Sequence, residues 1–405
     1  MTDEHDRAGA TPTGTARSRI LVVAPAYPTA TSFAGVFVAD QVAALREAYD
    51  VQVVVPDPRG WRRAILGSAG PTGPAPGDVD VFRPVARTWV PRSGRSIAQG
   101  VTRAVAGVYD ALARTSPPDV IHAHVIYPYG FAAVKVGERH GVPVVVTEHS
   151  GPFGATLQSD FARQAAAWTI DRAARILAVG PGLRDEILGL APGRRIDVLG
   201  NVVDTDFFRP EPREQGSVRG PLRLLSLGIQ RPQKAPEILL EAMATLAAHG
   251  RPIELVVGGD GPELPGLQVE VQRLGLSGSV RFVGVLSREE VRQWLRWCDV
   301  FVSASRLETF GLAIAEALAC ERPVVATRSG GPEAFFEATS GVLVDRDDPT
   351  GLAAAIESVA DGAVTLDGRA GRRLIEARYG KVAFRTALGR IYDEVRVLAG
   401  ARSGR

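Results

Sequence analysis

Lysine is nearly missing from this sequence: of its 47 basic residues, only Lys135, Lys234 and Lys381 are not arginine. We read the bias as the coding preference of a GC-rich genome, and it makes a surviving lysine a better candidate for a specific task. Cysteine is scarce as well. Cys298 and Cys320 cannot build a disulfide framework, which fits a reducing compartment. No run of 18 uninterrupted apolar residues occurs, so no membrane-spanning helix is expected. Neither sign of charge dominates, and a net charge of +2 offers no global attraction for nucleic acid. The opening MTDEHDRAGATPTGTARSR lacks the apolar centre of a signal peptide. Residues 1–18 are expected to be a disordered lead-in, and the protein to be cytoplasmic, reaching at most the inner face of the membrane.

What is present is ordinary globular composition, 45% hydrophobic and 23% charged over 405 residues. That length favours about two to three domains. One grammar repeats along the chain: a short Val/Ile/Leu run, a Gly or Pro turn, then a segment of helical period. RILVVAP, VQVVVP, DVIHAHV, VPVVVTEH, RILAVG and RIDVLGN carry it in the first half. LRLLSLG, IELVVGG, VRFVGV, VFVSAS, PVVATRSGG and GVLVD restart it in the second. Continuous apolar strands alternating with helices predict parallel sheets covered on both faces. FRPEPREQGSVRGP, rich in Pro, Gly and charge, reads as a linker. The expected architecture is two doubly wound α/β domains with a cleft between them.

Ligands of such sheets bind at the carboxyl ends of the strands. The polar residues collect there: His122 and His124, Glu148 and His149, Arg231 and Lys234, GGDGPE (258–263), Arg306 and Glu308, and RSGGPE (328–333). The stretch SRLETFGLAIAEALACERPVVA (305–326) is the most informative. Between Phe310 and Cys320 every residue except Glu316 is apolar or glycine. A carboxylate in a buried helix costs several kcal/mol unless something meets it. A helix starting near Phe310 offers unpaired N–H groups and a partial positive charge suited to a phosphate. Gly311 lets the backbone approach closely. Glu316 lies roughly 8 to 9 Å further along, where it could accept two hydrogen bonds from a ribose diol. Glu308 then faces whatever the diphosphate carries. The alternatives are a structural salt bridge for Glu316 and an ordinary loop charge for Glu308.

The same stretch resembles the E-x7-E region of the family 4 retaining glycosyltransferases, which adopt the GT-B fold: two Rossmann-like domains facing each other across a cleft. SLGIQRPQKAPEILLEA, GGDGPE and RFVGVLSREEVRQWLRWCDVFVSAS resemble the family's donor domain in the usual order. GNVVDTDFFRP, PAYPTATSFAGVFVADQVAAL and PPDVIHAHVIYPYGFAA with GVPVVVTEH resemble its first domain. The resemblance spans roughly residues 19–395. It implies an acceptor-side domain over 19–208, a linker over 209–220, and a nucleotide-sugar donor domain over 221–382. A C-terminal helix and tail (383–405) would pack back towards the first domain.

By that resemblance Glu316 binds the ribose hydroxyls, Glu308 and His149 face the donor sugar, and the amides around Phe310, Gly311 and Leu312 hold the phosphates. Lys234 stands where the family places its diphosphate lysine. Gly35, Gly228, Gly259 and Gly261 complete the donor-binding set. Three departures stand out: Ile229 follows Gly228 where the family has arginine, with Arg231 as the substitute; Ala235 replaces a usual glycine; and of the first domain's paired glycines only Gly35 remains. The implied activity moves a hexose-type sugar, with retention, from a nucleoside-diphosphate sugar to a cell-surface glycan, glycolipid or small-molecule acceptor. No cofactor and no metal are expected. Asp78-Val79-Asp80 and Asp204-Thr205-Asp206 are chance matches to a metal motif, and His122 with His124 makes only half a site. A same-fold epimerase and a catalytically silent nucleotide-sugar-binding subunit are the alternatives. GGDGPE lacks the spacing of a dinucleotide-binding turn. Eight arginines between Arg59 and Arg103, with Trp61 and Ile65, form either a patch for an anionic lipid-linked acceptor or membrane surface, or a solvated loop.

Overall fold

The structure is a computed structural model, and it describes residues 17–30, 32–58, 79–90, 93–211, 220–336 and 339–403. Most of the lead-in, most of the linker, and Arg59, Trp61, Arg62, Arg63, Ile65, Asp78 and Arg92 of the basic stretch lie outside the described residues.

Two parallel sheets organise the chain. The first contains β1 (Arg19–Val23), β2 (Asp50–Val54), β3 (Asp80–Phe82), β4 (Val120–His124), β5 (Val144–Glu148), β6 (Arg175–Ala178) and β7 (Ile196–Val198), in the order β3-β2-β1-β4-β5-β6-β7. The second contains β8 (Leu222–Leu227), β9 (Ile253–Gly258), β10 (Val280–Gly284), β11 (Val300–Ser303), β12 (Val324–Thr327) and β13 (Gly341–Val344), in the order β10-β9-β8-β11-β12-β13. Strand order reverses between β1 and β4 and again between β8 and β11, the switch points at which doubly wound sheets open a crevice.

The central strands are buried on both faces, which explains their unbroken apolar runs. Leu224, Leu255, Val302 and Val325 form the core on one face of the second sheet. Leu225, Val256, Phe301 and Val324 point to the other face, into a core continuous with that of the first domain through Phe208 and Phe310. The helix Lys381–Ser403 crosses back to the first domain, burying Phe384, Leu388, Tyr392 and Val395 among Ile20, Val22, Val42 and Val120. Surface pairs reinforce it: Arg385 with Glu47, and Arg175 with Glu394 at 2.6 Å. The chain therefore closes on its first domain after building its second. Among the described residues no helix is long and apolar enough to cross a membrane.

Candidate functional site

A cleft of about 650 Å³ separates the two domains. Its walls include His149 and Asn201 from the first domain and Gly228, Arg231, Lys234, Glu308, Gly311 and Glu316 from the second.

The second domain's wall is built at its switch point. The turn after β8 carries Arg231 and Lys234, and the turn after β11 carries Glu308. Gln233 ties them together, its carbonyl accepting from the amides of Arg306 (2.8 Å) and Leu307 (3.2 Å). Lys234 Nζ donates to Glu308 Oε1 at 2.5 Å, and Ser305 Oγ donates to the same oxygen at 2.9 Å. Arg231, three residues earlier, is exposed and makes no ion pair among the described residues. The stem of Lys234 lies over Gly228, whose missing side chain leaves it room. Ala235 holds a left-handed conformation (φ 43°, ψ 50°) that the glycine expected there would adopt without strain.

The helix Leu312–Ala319 begins from Gly311, which caps it at φ 91°. Phe310 is buried against Phe335 and Tyr379, with ring centroids 5.3 and 5.1 Å apart. Glu316 has no hydrogen-bond or ion-pair partner among the described residues, although its carboxyl lines the cleft. Burial pushes its pKa up to about 8, with the Arg288 guanidinium opposing and Asp40 adding to the rise. Leu312 lines the cleft at the start of this helix.

Gly259 and Gly261 do not line the cleft. A Cβ on Gly259 would stand 1.9 Å from the Gly228 carbonyl oxygen, and one on Gly261 2.3 Å from the Gln230 carbonyl oxygen. Gln230 completes this packing by donating to Gly228 O at 2.7 Å. These glycines thus shape the turn behind Gly228 rather than the cleft surface. Gly35 is buried beside the cleft, a left-handed cap (φ 83°) for the helix Val36–Arg46, packed against the Ala26 carbonyl.

The first domain's polar residues face one another. Glu148 is fully buried and accepts from the amides of Ile126 (2.7 Å), His149 (2.9 Å) and Ser150 (2.8 Å). It pins the loops after β4 and β5. His122 bridges Tyr392 Oη (2.7 Å) and Thr147 Oγ1 (2.8 Å). His124 Nδ1 meets His149 Nε2 at 2.9 Å, and only His149 of the three lines the cleft. Burial holds His122 and His149 neutral, each lowered to about 3; for His149 the Asn201 amide beside the ring works in the opposite direction. His122 and His124 are thus engaged with protein groups, and no group of three metal-ligating side chains exists among the described residues.

A charged seam joins the two domains close enough to Glu316 for Arg288 and Asp40 to act on its carboxyl. Arg288 pairs with Asp40 of the first domain and stands 3.6 Å from Asp204. Lys381 reaches Asp204 at 2.7 Å and Asp206 at 3.2 Å, so the Asp204-Thr205-Asp206 string is taken up by ion pairs. Arg288 escaped the sequence reading, yet a signal existed. LSREE places a capping box, Ser287 with Glu290, just past β10, which puts Arg288 first in its helix and at a strand end.

A family model described as glycosyl transferases group 1 matches residues 208–376, and one described as glycosyl transferase 4-like domain matches residues 34–202. The chain is 31% identical over 316 residues to a D-inositol 3-phosphate glycosyltransferase of Catenulispora acidiphila, covering 71% of this chain and 75% of that one. It is 29% identical over 296 residues to a glycogen synthase of Mycobacterium tuberculosis, covering 69% of each. Among solved structures, sucrose-phosphate synthase of Thermosynechococcus elongatus superposes with a TM-score of 0.75 at 20% identity, covering 94% of this chain and all of the other. The Anabaena protein HepE, solved with UDP and glucose, gives 0.72 at 19% identity, covering 93% of this chain and all of the other. At such identities these likenesses speak for the fold, which is GT-B.

Proposed function

Because the chain belongs to the group 1 glycosyltransferases, with a glycosyltransferase 4-like first domain, we propose that it moves a hexose-type sugar from a nucleoside-diphosphate sugar to a glycan, glycolipid or small polyol acceptor, with retention. The observation that carries the donor assignment is Glu316: a carboxyl with no protein partner among the described residues, opening on the cleft five residues beyond the glycine that caps its helix. The ribose hydroxyls supply the missing partners. The diphosphate then lies against the amides of Gly311 and Leu312, and the sugar extends towards Glu308 and His149.

Departure of the diphosphate gathers negative charge as the anomeric carbon becomes cationic. Lys234, Arg231 and the positive end of the helix Leu312–Ala319 stabilise that charge. Without substrate, Lys234 is neutralised by Glu308; an incoming diphosphate draws the ammonium away and releases Glu308 towards the sugar. In our reading the acceptor attacks on the face the diphosphate leaves, and a phosphate oxygen takes its proton. Closure around the donor keeps water out. Arg83, Arg87, Arg95 and Arg103 make no ion pair among the described residues, although Arg83 donates to the Tyr27 and Pro28 carbonyls and Arg95 lies over the Phe161 ring. Trp89, two residues from Arg87, is exposed. This patch suits an anionic or lipid-linked acceptor at a membrane surface.

A thermal-shift screen tests the reading. One or more of UDP, GDP, ADP and dTDP at millimolar concentration raises the melting temperature by mass action, and EDTA leaves both the shift and sugar transfer unchanged. Silence from all four nucleotides overturns the donor assignment. Activity that only Mg²⁺ or Mn²⁺ restores overturns the metal-independent mechanism.

A further inference from the structure

Two glycines on the first domain's side of the cleft are small for a reason that lies in the other domain. A Cβ on Gly151 would stand 2.4 Å from Thr309 Cγ2, and its next nearest atoms belong to Leu307. A Cβ on Gly180 would stand 2.0 Å from the Thr309 carbonyl oxygen, followed by the Thr309 carbonyl carbon and Gly331 Cα. For both glycines the three nearest atoms come from the second domain. Their own backbones do not require glycine: Gly180 is extended at φ −159°, and Gly151 is not among the positive-φ residues. Gly331 closes the other side of the same loop, where a Cβ would meet the Phe310 backbone at 2.7 Å.

We propose that Gly151 and Gly180 are positioning residues that form a side-chain-free seat for Thr309. Through that contact the first domain sets the place of the loop carrying Glu308 and Gly311, and brings His149 to the same cleft. The inference rests on the functional reading above. A Cβ does not approach a heavy atom closer than about 3.0 Å, so alanine at 180 forces the loops apart by roughly 1 Å. Misplacement by that distance costs on the order of 10²-fold in rate when reacting groups sit on opposite walls.

The test uses the full chain and the nucleotide sugar whose nucleotide gives the largest thermal shift, with nucleoside diphosphate release as the readout. Gly180→Ala is expected to lower kcat by on the order of 10²-fold, to leave the melting temperature near wild type, and to enlarge the radius of gyration in ligand-free X-ray scattering. Gly151→Ala loses less, because its obstacle is a methyl group. Adding Thr309→Ser removes that methyl and restores most of the lost kcat. Gly182→Ala, whose nearest neighbour is 3.7 Å away, keeps wild-type kcat. Unchanged kcat and scattering in Gly180→Ala overturn the seat, as does a double variant that recovers nothing. A large loss of melting temperature in Gly180→Ala also overturns it, since the glycine would then serve the first domain's own fold. If the wild type itself binds no nucleotide, the functional reading fails instead, and the ligand-free scattering still decides the seat.

Discussion

The two domains share one strand order and one kind of switch point, yet they treat the polar groups at their strand ends in opposite ways. In the first domain most of those groups satisfy one another, although His149 Nδ1, buried beside the cleft, has no hydrogen-bond partner among the described residues. Glu148 accepts three backbone amides, His122 bridges a tyrosine and a threonine, and His124 holds His149. In the second domain Glu316 and the exposed Arg231 meet no side-chain partner among the described residues, and Lys234 with Glu308 forms a part-exposed pair that a ligand can reach. Buried polar groups are nearly always hydrogen-bonded. A cleft-lining carboxyl without a partner is therefore prepared for something from outside, as is the open Nδ1 of His149, while Glu148, His122 and His124 are scaffold. Equal topology does not mean equal division of labour.

The comparison breaks most visibly at Lys234. If it stabilises charge that grows as the diphosphate leaves, its contribution is larger in the transition state than in the ground state. Lys234→Ala then lowers kcat by about 10² to 10³ and changes donor KM less, while Lys234→Arg recovers part of the loss. If Arg231 takes the place left by Ile229, Arg231→Ala also depresses kcat. A crippled Arg231→Ala beside a neutral Lys234→Ala would move the phosphate clamp to the arginine.

Glu148 probes the opposite wall. Glu148→Ala strips three buried amides of their acceptor and costs about 3 kcal/mol or more of stability in chemical denaturation. Its effect on the donor site is indirect, through the loop that carries His149 and Gly151, so nucleoside diphosphate affinity of the folded variant falls less than in Glu316→Gln. A selective loss of affinity without loss of stability would make Glu148 part of the donor site.

Glu316 sharpens the contrast with a smaller effect. Above pH 8, where the carboxyl is ionised, Glu316→Gln weakens donor binding by roughly 1.5 to 3 kcal/mol, the range for hydrogen bonds to charged groups. The loss is smaller at neutral pH, where the free protein holds a proton there. It also changes how stability depends on pH. The folded carboxyl titrates at about 8, above its ordinary value of 4.5, so the native state holds a proton that the unfolded chain releases. That contribution is complete below pH 4.5 and is lost as pH rises through 8. The full shift would be worth about 5 kcal/mol. Because Glu316 is only half-buried, solvent screening reduces this, and relative to wild type the glutamine variant gains about 1 to 3 kcal/mol between pH 4.5 and about 8.5. Parallel stability curves for the two proteins would show that Glu316 is already ionised and paired.

Much of the site was legible because strand ends leave a local signature. Glu308 and Glu316 stand out as charges flanking an apolar helix, and Lys234 as one of three lysines in an arginine-rich chain. Gly259 and Gly261 were visible as glycines, but not the reason for them, which is the backbone of a turn some thirty residues earlier. The partner of Arg288 is Asp40, 248 positions away. No periodicity announces such a pair.

By itself the sequence determined the alternation of buried parallel strands and covering helices, because a strand covered on both faces must be apolar throughout and each turn needs its glycine or proline. It also determined which residues stand at the strand ends. Only the tertiary structure decided which of them remain available. Tyr392 takes up His122 because the last helix crosses back to the first domain, and Asp204 is taken by Lys381 and Arg288 because the two domains meet there. Local chemistry says what a side chain can bind. Whether the protein has already bound it depends on contacts between segments hundreds of residues apart, and those exist only once the chain has folded.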